Sequence, residues 1–480
     1  MNRRMVFFMT GQIVLTEAVL LLLPALVALL YRESCLWAFL ATAGVAAVLG
    51  CGLTLLRRPK NQTIYAKEGF VIVALSWLLL SAVGALPFFI SREIPSYVDA
   101  LFETVSGFTT TGASILTDVE AMSRGLLFWR SFTHWIGGMG VLVLVMALVP
   151  TGSGRSIHMM RAEVPGPIVG KLVPRIRDTA KILYLLYLAL TVAEIGCLLL
   201  AGMPLFDSVV HAFGTAGTGG FGIMADSIGG YSPAAQWIIT VFMLLFGVNF
   251  NLYYLLFLRS FRGVFTNREL WVYLGVAVAA TAIITGNILP HYEGFGEAVR
   301  QAAFQVSSIL TTTGYATTDF NLWPELSKTV LFLLMFLGGC AGSTAGGLKV
   351  SRVMLLLKTV GRDLQRLVHP RSVGVIKLEG KRVEDTVVRS TSAYFALYFL
   401  LMAAVFLLLS CEPFGLETNL SATVACFNNV GPGFGLVGPT GSFAAYSGFS
   451  KVVLSFAMLL GRLELYPLVI TFLPRTWSKE

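Results

Sequence analysis

Apolar blocks of about twenty residues recur along the whole of this 480-residue chain. A helix of about 20 apolar residues is long enough to cross the hydrocarbon core of a bilayer. Only 13% of the residues are charged, about half the share that is usual in a soluble globular domain. Since so few charges cannot cover a water-soluble particle of this size, the sequence predicts an all-α polytopic membrane protein and excludes most classes of soluble enzyme.

The blocks predict ten long helices. They cover residues 5–31, 36–56, 69–91, 124–149, 180–202, 234–258, 269–290, 326–356, 388–411 and 447–474. The 5–31 block is too long for the apolar core of a signal peptide, so it is interpreted as a retained membrane helix. Most Lys and Arg residues lie on alternate connections, above all 155–181 and 349–389. The positive-inside rule then places these connections and both termini in the cytoplasm.

The net charge of +9 is therefore a signal of topology and of contact with membrane lipid, and nucleic acid is not an expected partner. The opposite side of the membrane carries an excess of acidic residues, which would attract cations. The six Cys and five His residues show no spacing typical of a metal site. No protease, hydrolase or other catalytic motif is present, so the sequence predicts no enzyme and no organic cofactor.

Four short stretches between the long helices share one plan: a run of about ten residues followed by a loop around one glycine. They read YVDALFETVSGFTTTGAS (97–114), LFDSVVHAFGTAGTGGFG (205–222), AFQVSSILTTTGYATTDF (303–320) and LSATVACFNNVGPGFG (420–435). The repeated unit is helix, half-helix, glycine loop and helix, which implies pseudo-symmetry within one chain. We predict a two-helix extension and four pore repeats, with the boundaries 1–60, 61–160, 161–262, 263–370 and 371–480.

A gap-free register makes Gly112, Gly220, Gly314 and Gly431 equivalent, although further glycines crowd the second loop. Irregular backbone at membrane depth is tolerated where it lines a water-filled path. Four such loops on one axis can form a ring of carbonyl groups that replaces the water around a monovalent cation, aided by the partial negative charge at the half-helix C-termini. Four ordinary turns are the alternative, which the matched register disfavours.

The stretch GGCAGSTAGG at 338–347 places five glycines in the middle of a predicted span. It is interpreted as a break in the helix whose loop gates the path below the filter; the alternative is a small-residue helix-packing face. Arg462 is also predicted at mid-span, where it either adds a fixed positive charge below the filter or pairs with Glu464, Glu194 or Glu17. The gate residues proposed from the sequence are Gly338, Gly339, Gly342, Ser343, Thr344, Gly346, Gly347, Lys349 and Arg462.

The motifs TTTGAS, TTTGY, NNVGPG, GGCAGSTAGGLKVSR, HWIGGMG and GRLELYP resemble those of the Trk/Ktr/HKT potassium transporter superfamily. The two additional N-terminal helices make the chain most similar to the TrkH/TrkG family of membrane subunits of bacterial potassium uptake systems. The resemblance covers nearly the whole chain. It implies potassium uptake across the bacterial cytoplasmic membrane, K⁺ as the transported ion, a homodimer with one pore in each protomer, and a cytosolic nucleotide-binding regulatory ring of the TrkA type.

The resemblance also assigns a potassium filter to the loop glycines and to the residue before each of them. These residues are Thr111, Gly112, Gly219, Gly220, Thr313, Gly314, Val430 and Gly431. The potassium-channel sequence TVGYG is absent from all four repeats, which leaves discrimination between potassium and sodium open. A secondary transporter of the same superfamily, coupled to sodium or protons, is the alternative.

Overall fold

The computed structural model describes residues 1–55, 65–140, 176–372, 374–379 and 381–477. Within these ranges the regular secondary structure is helical, apart from one short hairpin and an isolated bridge between Leu337 and Leu348, and the predicted all-α membrane fold is confirmed. The α-helices are Arg3–Leu20, Leu22–Leu30, Leu36–Leu55, Ala66–Gly84, Leu86–Ile90, Tyr97–Phe108, Arg124–Gly138, Ile176–Leu200, Leu205–Gly217, Pro233–Phe246, Phe250–Phe257, Phe261–Phe265, Arg268–Ile288, Phe295–Leu310, Glu325–Leu334, Val350–Val368, Asp385–Leu409, Leu416–Phe427, Gly448–Arg462, Tyr466–Phe472 and Pro474–Trp477. Short 3₁₀ helices cover Leu289–His291, Phe320–Leu322, Gly435–Val437 and Phe443–Ala445.

Six helical segments of the described chain are long and apolar enough to cross a membrane. They are Arg3–Leu30, Leu36–Leu55, Ala66–Ile90, Asp178–Leu200, Arg268–His291 and Asp385–Leu409. Large apolar side chains on these segments point outward; Leu200 is 91% exposed and Leu400 is 69% exposed. Outward apolar side chains on long helices are what contact with lipid requires, so the protein is a multi-pass membrane protein.

Four shorter helices form the buried centre of the molecule. They are Tyr97–Phe108, Leu205–Gly217, Phe295–Leu310 and Leu416–Phe427. The longest has 16 residues, which at 1.5 Å per residue is about 24 Å and so falls short of a bilayer core of about 30 Å. Each ends at one of the four glycine loops and packs against the helix that follows the loop. We call them the half-helices.

Two of the predicted continuous helices are wrong as single helices. The 234–258 segment bends by 91° between Phe246 and Phe250, because the Gly247 carbonyl accepts a hydrogen bond from Cys340 N at 2.9 Å and Phe250 N donates to the Gly342 carbonyl at 3.1 Å. These bonds to another segment replace bonds within a helix. The 447–474 segment breaks at Glu464 and Leu465, whose φ angles of 55° and 66° are left-handed.

The break predicted in the 326–356 segment is present, since one helix ends at Leu334 and the next begins at Val350. That next helix continues to Val368, beyond the predicted end of the span. The predicted 124–149 helix ends at Gly138, and its remainder from residue 141 lies outside the described residues. Residues 155–175 of the predicted basic connection 155–181 also lie outside them.

The hairpin lies between the two helices of the third and fourth repeats that the sequence predicts to enter the cytoplasm. Its strands are Lys377–Leu378 and Lys381–Arg382, paired antiparallel. A small apolar cluster fastens it to the helices Val350–Val368 and Asp385–Leu409. The members of this cluster are Leu355, Ile376, Leu378, Val383 and Val388, each less than 9% exposed.

Candidate functional site

The four glycine loops repeat one backbone conformation. In each loop the glycine and the residue two positions before it have positive φ angles, which are uncommon outside glycine. The glycines are Gly112 (81°), Gly220 (76°), Gly314 (84°) and Gly431 (99°), and the preceding residues are Thr110 (55°), Thr218 (56°), Thr312 (57°) and Asn429 (57°). The same pair of left-handed residues therefore marks Gly220 as the equivalent glycine of the crowded second loop.

The loops contact one another in a closed cycle. A Cβ atom added at Gly112 would overlap the carbonyl oxygen of Gly219, and one added at Gly220 would overlap that of Thr313. In the same way Gly314 lies against the carbonyl oxygen of Val430, and Gly431 lies against that of Thr111. All eight residues that the sequence singled out for the filter are thus brought together. We call Thr111, Gly112, Gly219, Gly220, Thr313, Gly314, Val430 and Gly431 the glycine ring.

The carbonyl oxygens of the ring are available to a ligand. Among the described residues, none donates a hydrogen bond to the carbonyl oxygen of Thr111, Gly219, Thr313 or Val430. The half-helices end at Phe108, Gly217, Leu310 and Phe427, a few residues before the ring, so their C-terminal dipoles add partial negative charge there. Unpaired carbonyls together with these dipoles form a site suited to a dehydrated monovalent cation.

Threonine hydroxyls support the first and third loops in the same way. Thr109 Oγ1 donates to the Val105 carbonyl at 2.7 Å and shares a 2.7 Å hydrogen bond with Thr111 Oγ1. Thr311 repeats both contacts, with the Ser307 carbonyl at 2.6 Å and with Thr313 Oγ1 at 2.7 Å. These hydroxyls bond within their own loop and half-helix and so brace the residues that precede the glycines.

Two residues that the sequence analysis did not single out bridge neighbouring loops. Asn429 Nδ2 donates to Thr111 Oγ1 at 3.0 Å and so joins the fourth loop to the first. Tyr315 directly follows a ring glycine, and its hydroxyl lies 3.1 Å from the His211 carbonyl and 3.3 Å from the Phe221 carbonyl. The NNVGPG and TTTGY motifs contain both residues, but only the spatial order of the loops reveals what they contact.

A cavity of about 130 Å³ lies on the side of the ring that is formed by the residues following the glycines in the chain. All four ring glycines line it. Arg130 lies in its wall, buried, with Nε 2.6 Å from Glu103 Oε1 and Nη1 2.8 Å from the Gly222 carbonyl. Glu103 in turn accepts from Ser114 Oγ at 2.9 Å. The ion pair therefore ties the outer ends of the first two loops together, as a structural pair would.

The 338–347 segment is an irregular loop on the other side of the ring. Gly346 N donates to Thr312 Oγ1 at 2.7 Å, and Thr312 is the left-handed residue of the third glycine loop. Gly342 and Gly347 have φ angles of 74° and 64°, which rules out the alternative of a continuous helix with a packing face. A Cβ atom at Gly338 would overlap the Gly346 carbonyl, so the two arms of the loop lie in contact.

Some of the side chains proposed for the gate make hydrogen bonds that hold the loop, and others do not. Thr344 Oγ1 donates to the Phe246 carbonyl at 3.2 Å, and Lys349 Nζ donates to the Ala345 carbonyl. Ser343 Oγ has no hydrogen-bond partner among the described residues, although a Cβ atom at Gly339 would lie 2.9 Å from it. Lys349, just after the loop, and the bent helix of the second repeat therefore hold the loop at Ala345 and Thr344.

Arg462 binds carbonyl groups below the ring. Its Nη1 donates to the Thr344 carbonyl at 2.8 Å, and its Nη2 lies 2.7 Å from the Gly138 carbonyl and 2.5 Å from the Gly137 carbonyl. Glu464, one of the three acids considered as its partner, pairs instead with Arg352 at 2.9 and 2.5 Å. Glu17 and Glu194 are both buried. Arg462 thus connects the first repeat, the loop and the fourth repeat.

Broken helices around a cyclic array of glycine loops define a multi-pass membrane protein of the cation-transport class. The chain belongs to the TrkH family of cation transport proteins, whose profile matches residues 37–274 and 278–479, and the resemblance seen in the motifs is confirmed. It is 38% identical over 486 aligned residues to the Trk system potassium uptake protein TrkH of Salmonella typhimurium, covering 100% of both chains. It is 35% identical to TrkG of Escherichia coli, covering 99% of this chain and 98% of that protein. The crystal structure of the potassium transporter TrkH from Vibrio parahaemolyticus matches with a TM-score of 0.89 and 35% identity over 100% of both chains.

Proposed function

We propose that this chain carries K⁺ into a bacterial cell through the glycine ring, which acts as a selectivity filter. The observation that carries the proposal is the closed cycle in which each ring glycine lies against the carbonyl oxygen of another loop. Four unpaired carbonyls, one from each loop, can take the place of the water around K⁺. The relatives of this chain are named potassium uptake proteins, which supports K⁺ as the transported ion.

In this proposal the carbonyls of Thr111, Gly219, Thr313 and Val430 coordinate the ion, and the four glycines leave the carbonyls the space to do so. The 338–347 loop, with Lys349 and Arg462, obstructs the path on the inner side. Two positive side chains there oppose the passage of cations while the loop is in place. Movement of the loop away from Thr312 opens the path.

The family and the charge pattern support a proposal for the surroundings of the pore. The protein lies in the cytoplasmic membrane with both termini in the cytoplasm, as a homodimer with one pore in each protomer. A cytosolic nucleotide-binding ring of the TrkA type regulates it, and the four repeats with their two-helix extension have the boundaries predicted from the sequence. The relatives are described as parts of a Trk system, which supports a second component.

Flux measurements on purified protein in lipid vesicles test this function. With a potassium gradient and no other gradient, we expect K⁺ movement that stops at the potassium equilibrium potential. A shift of that potential when a sodium or proton gradient is added would instead establish the coupled transporter. Absence of any potassium movement, with and without the cytosolic partner, would contradict the proposal.

A further inference from the structure

Glu269 joins the two ends of the 338–347 loop through one oxygen atom. It lies in the first turn of the helix Arg268–Ile288 and is 6% exposed. Its Oε1 accepts from Ala341 N at 2.8 Å, near the start of the loop, and from Ser351 N at 3.0 Å, in the first turn of the helix that follows. A single carboxylate oxygen therefore closes the loop at its base.

The helix that carries Glu269 is itself capped from the cytosolic hairpin. The carboxylate of Glu379, at the turn of the hairpin, accepts from Arg268 N at 3.1 Å and from Glu269 N at 3.3 Å. A carboxylate at this position satisfies N–H groups that a helix N-terminus leaves unpaired. The hairpin thus contacts the backbone of the residue whose side chain closes the loop.

The hairpin also contacts the other helix that takes part in this closure. Ile376 and Leu378 pack against Leu355 of the helix Val350–Val368, and Lys358 Nζ donates to the Lys377 carbonyl at 2.7 Å. Ser351, the second partner of Glu269, lies in the first turn of that same helix. A displacement of the hairpin therefore acts on both sides of the Glu269 hydrogen bonds.

From these contacts we propose that Glu269 is the positioning residue of the 338–347 loop and that the hairpin around Glu379 transmits movement to it. The inference rests on the proposed function, since it names the device that holds and releases the proposed gate. Hydrogen bonds to a buried carboxylate are stronger than neutral ones. Since both bonds share one oxygen atom, movement of Glu269 breaks them together.

Hydrogen exchange separates this proposal from the gating function itself. In the purified full-length protein, Glu269→Ala removes the one oxygen that accepts both hydrogen bonds. We expect exchange of the 338–352 amides to become about tenfold faster or more. Glu269→Gln keeps an oxygen in place and is expected to stay within about threefold of wild type. Glu325→Ala is the matched control, because Glu325 also lies in the first turn of a membrane helix, with an 87% exposed side chain.

Different variants test the role of Glu269 and the role of the hairpin. If Glu269→Ala does not fold, Glu269→Asp provides the same comparison, because it keeps the charge and is too short to reach both amides. Unchanged exchange in either variant would overturn the role of Glu269. Glu379→Ala, at an exposed position, is expected to accelerate the same amides, and unchanged exchange would overturn the role of the hairpin. Faster exchange with unaltered potassium flux through vesicles would leave Glu269 as the anchor and refute the loop as a gate.

Discussion

At the scale of single residues, equivalent positions in the four loops have the same backbone conformation but differ in their side-chain contacts. Thr110 and Thr312 both have left-handed φ angles two residues before a ring glycine. Thr312 Oγ1 accepts a hydrogen bond from Gly346 N, whereas Thr110 Oγ1 has no partner among the described residues. A threonine at this position therefore binds the 338–347 loop in the third repeat but has no hydrogen-bond partner in the first. Substituting each of the two threonines gives a matched pair of variants.

Thr312→Val should weaken the latch while preserving the shape of the side chain. Loss of one hydrogen bond of about 1 kcal/mol corresponds to roughly a fivefold shift in the population of the open loop. We expect potassium flux in the absence of the cytosolic partner to rise by about that factor, with Thr110→Val close to wild type. Equal effects of the two substitutions, measured in the same vesicle assay, would exclude a specific latch.

Gly112→Ser tests the ring itself, because its Cβ atom would displace the carbonyl oxygen of Gly219. We expect the preference for potassium over sodium to fall by roughly tenfold, the effect of about 1.4 kcal/mol, with little change in expression. Gly275→Ser is the control, since a Cβ atom at Gly275 meets nothing within 4 Å. Selectivity is read from competitive uptake of the two ions, and an unaltered ratio in Gly112→Ser would remove this glycine from the filter.

At the scale of elements, the loop 338–347 depends on backbone conformations that favour glycine. Gly342 and Gly347 have positive φ angles, where alanine costs about 1 kcal/mol or more. We expect Gly342→Ala and Gly347→Ala to loosen the loop, raise partner-independent flux and lower the thermal stability slightly.

Gly296→Ala serves as the control in a regular helix with open space around it, where alanine is favourable. Deletion within 338–347 should act in the same direction as the two alanine variants. Flux and expression that fall together in all of them would mean that the segment only holds helices together.

The helix breaks illustrate what a sequence can and cannot predict. Five glycines in ten residues revealed the break at 338–347, because local composition alone opposes a helix there. The break after Phe246 depends on hydrogen bonds of Gly247 and Phe250 to residues about ninety positions away, and apolar periodicity carries no sign of them. Glu464 and Leu465 adopt left-handed backbone beside the Arg352 ion pair, a tertiary contact that hydropathy also misses.

The sequence predicted which residues form the candidate site, but not the hydrogen-bond partners of its side chains. Equal spacing identified the four ring glycines, because the four loops have equal lengths, and the family resemblance added the residue before each of them. The sequence left three carboxylates open as partners of Arg462, while the structure places its guanidinium on the carbonyls of Gly137, Gly138 and Thr344. Backbone acceptors have no signature in a sequence, so Arg462, and likewise Glu269, could be understood only from the fold.

At the scale of the whole molecule, the proposed gate belongs to one of the four predicted repeats. Only the third repeat places an irregular loop of this length below the ring within the described chain, and it leads directly into the helix Val350–Val368. Arg366 and Arg371, near the far end of this helix, are exposed. A regulator with an acidic surface that binds there gains leverage on the hairpin and on the base of the loop.

Arg366→Glu combined with Arg371→Glu should therefore weaken capture by the cytosolic ring while dimerisation in detergent survives. Adding Arg362→Glu strengthens the effect, although Arg362 also lies 3.4 Å from Asp385 in the native chain. Arg92→Glu, on the predicted outer side, is the control. Co-purification on a tagged partner at low and high salt decides the matter, and undiminished capture would restrict these arginines to topology and lipid contact.

The central claim is that one cation is held by carbonyl groups from all four loops. Crystals grown with Rb⁺ or Tl⁺ in place of K⁺ test it most directly through anomalous scattering. We expect a peak on the ring axis within coordination distance of the carbonyl oxygens of Thr111, Gly219, Thr313 and Val430. An empty ring, with the heavy cation bound at a carboxylate such as Glu103 instead, would contradict the account.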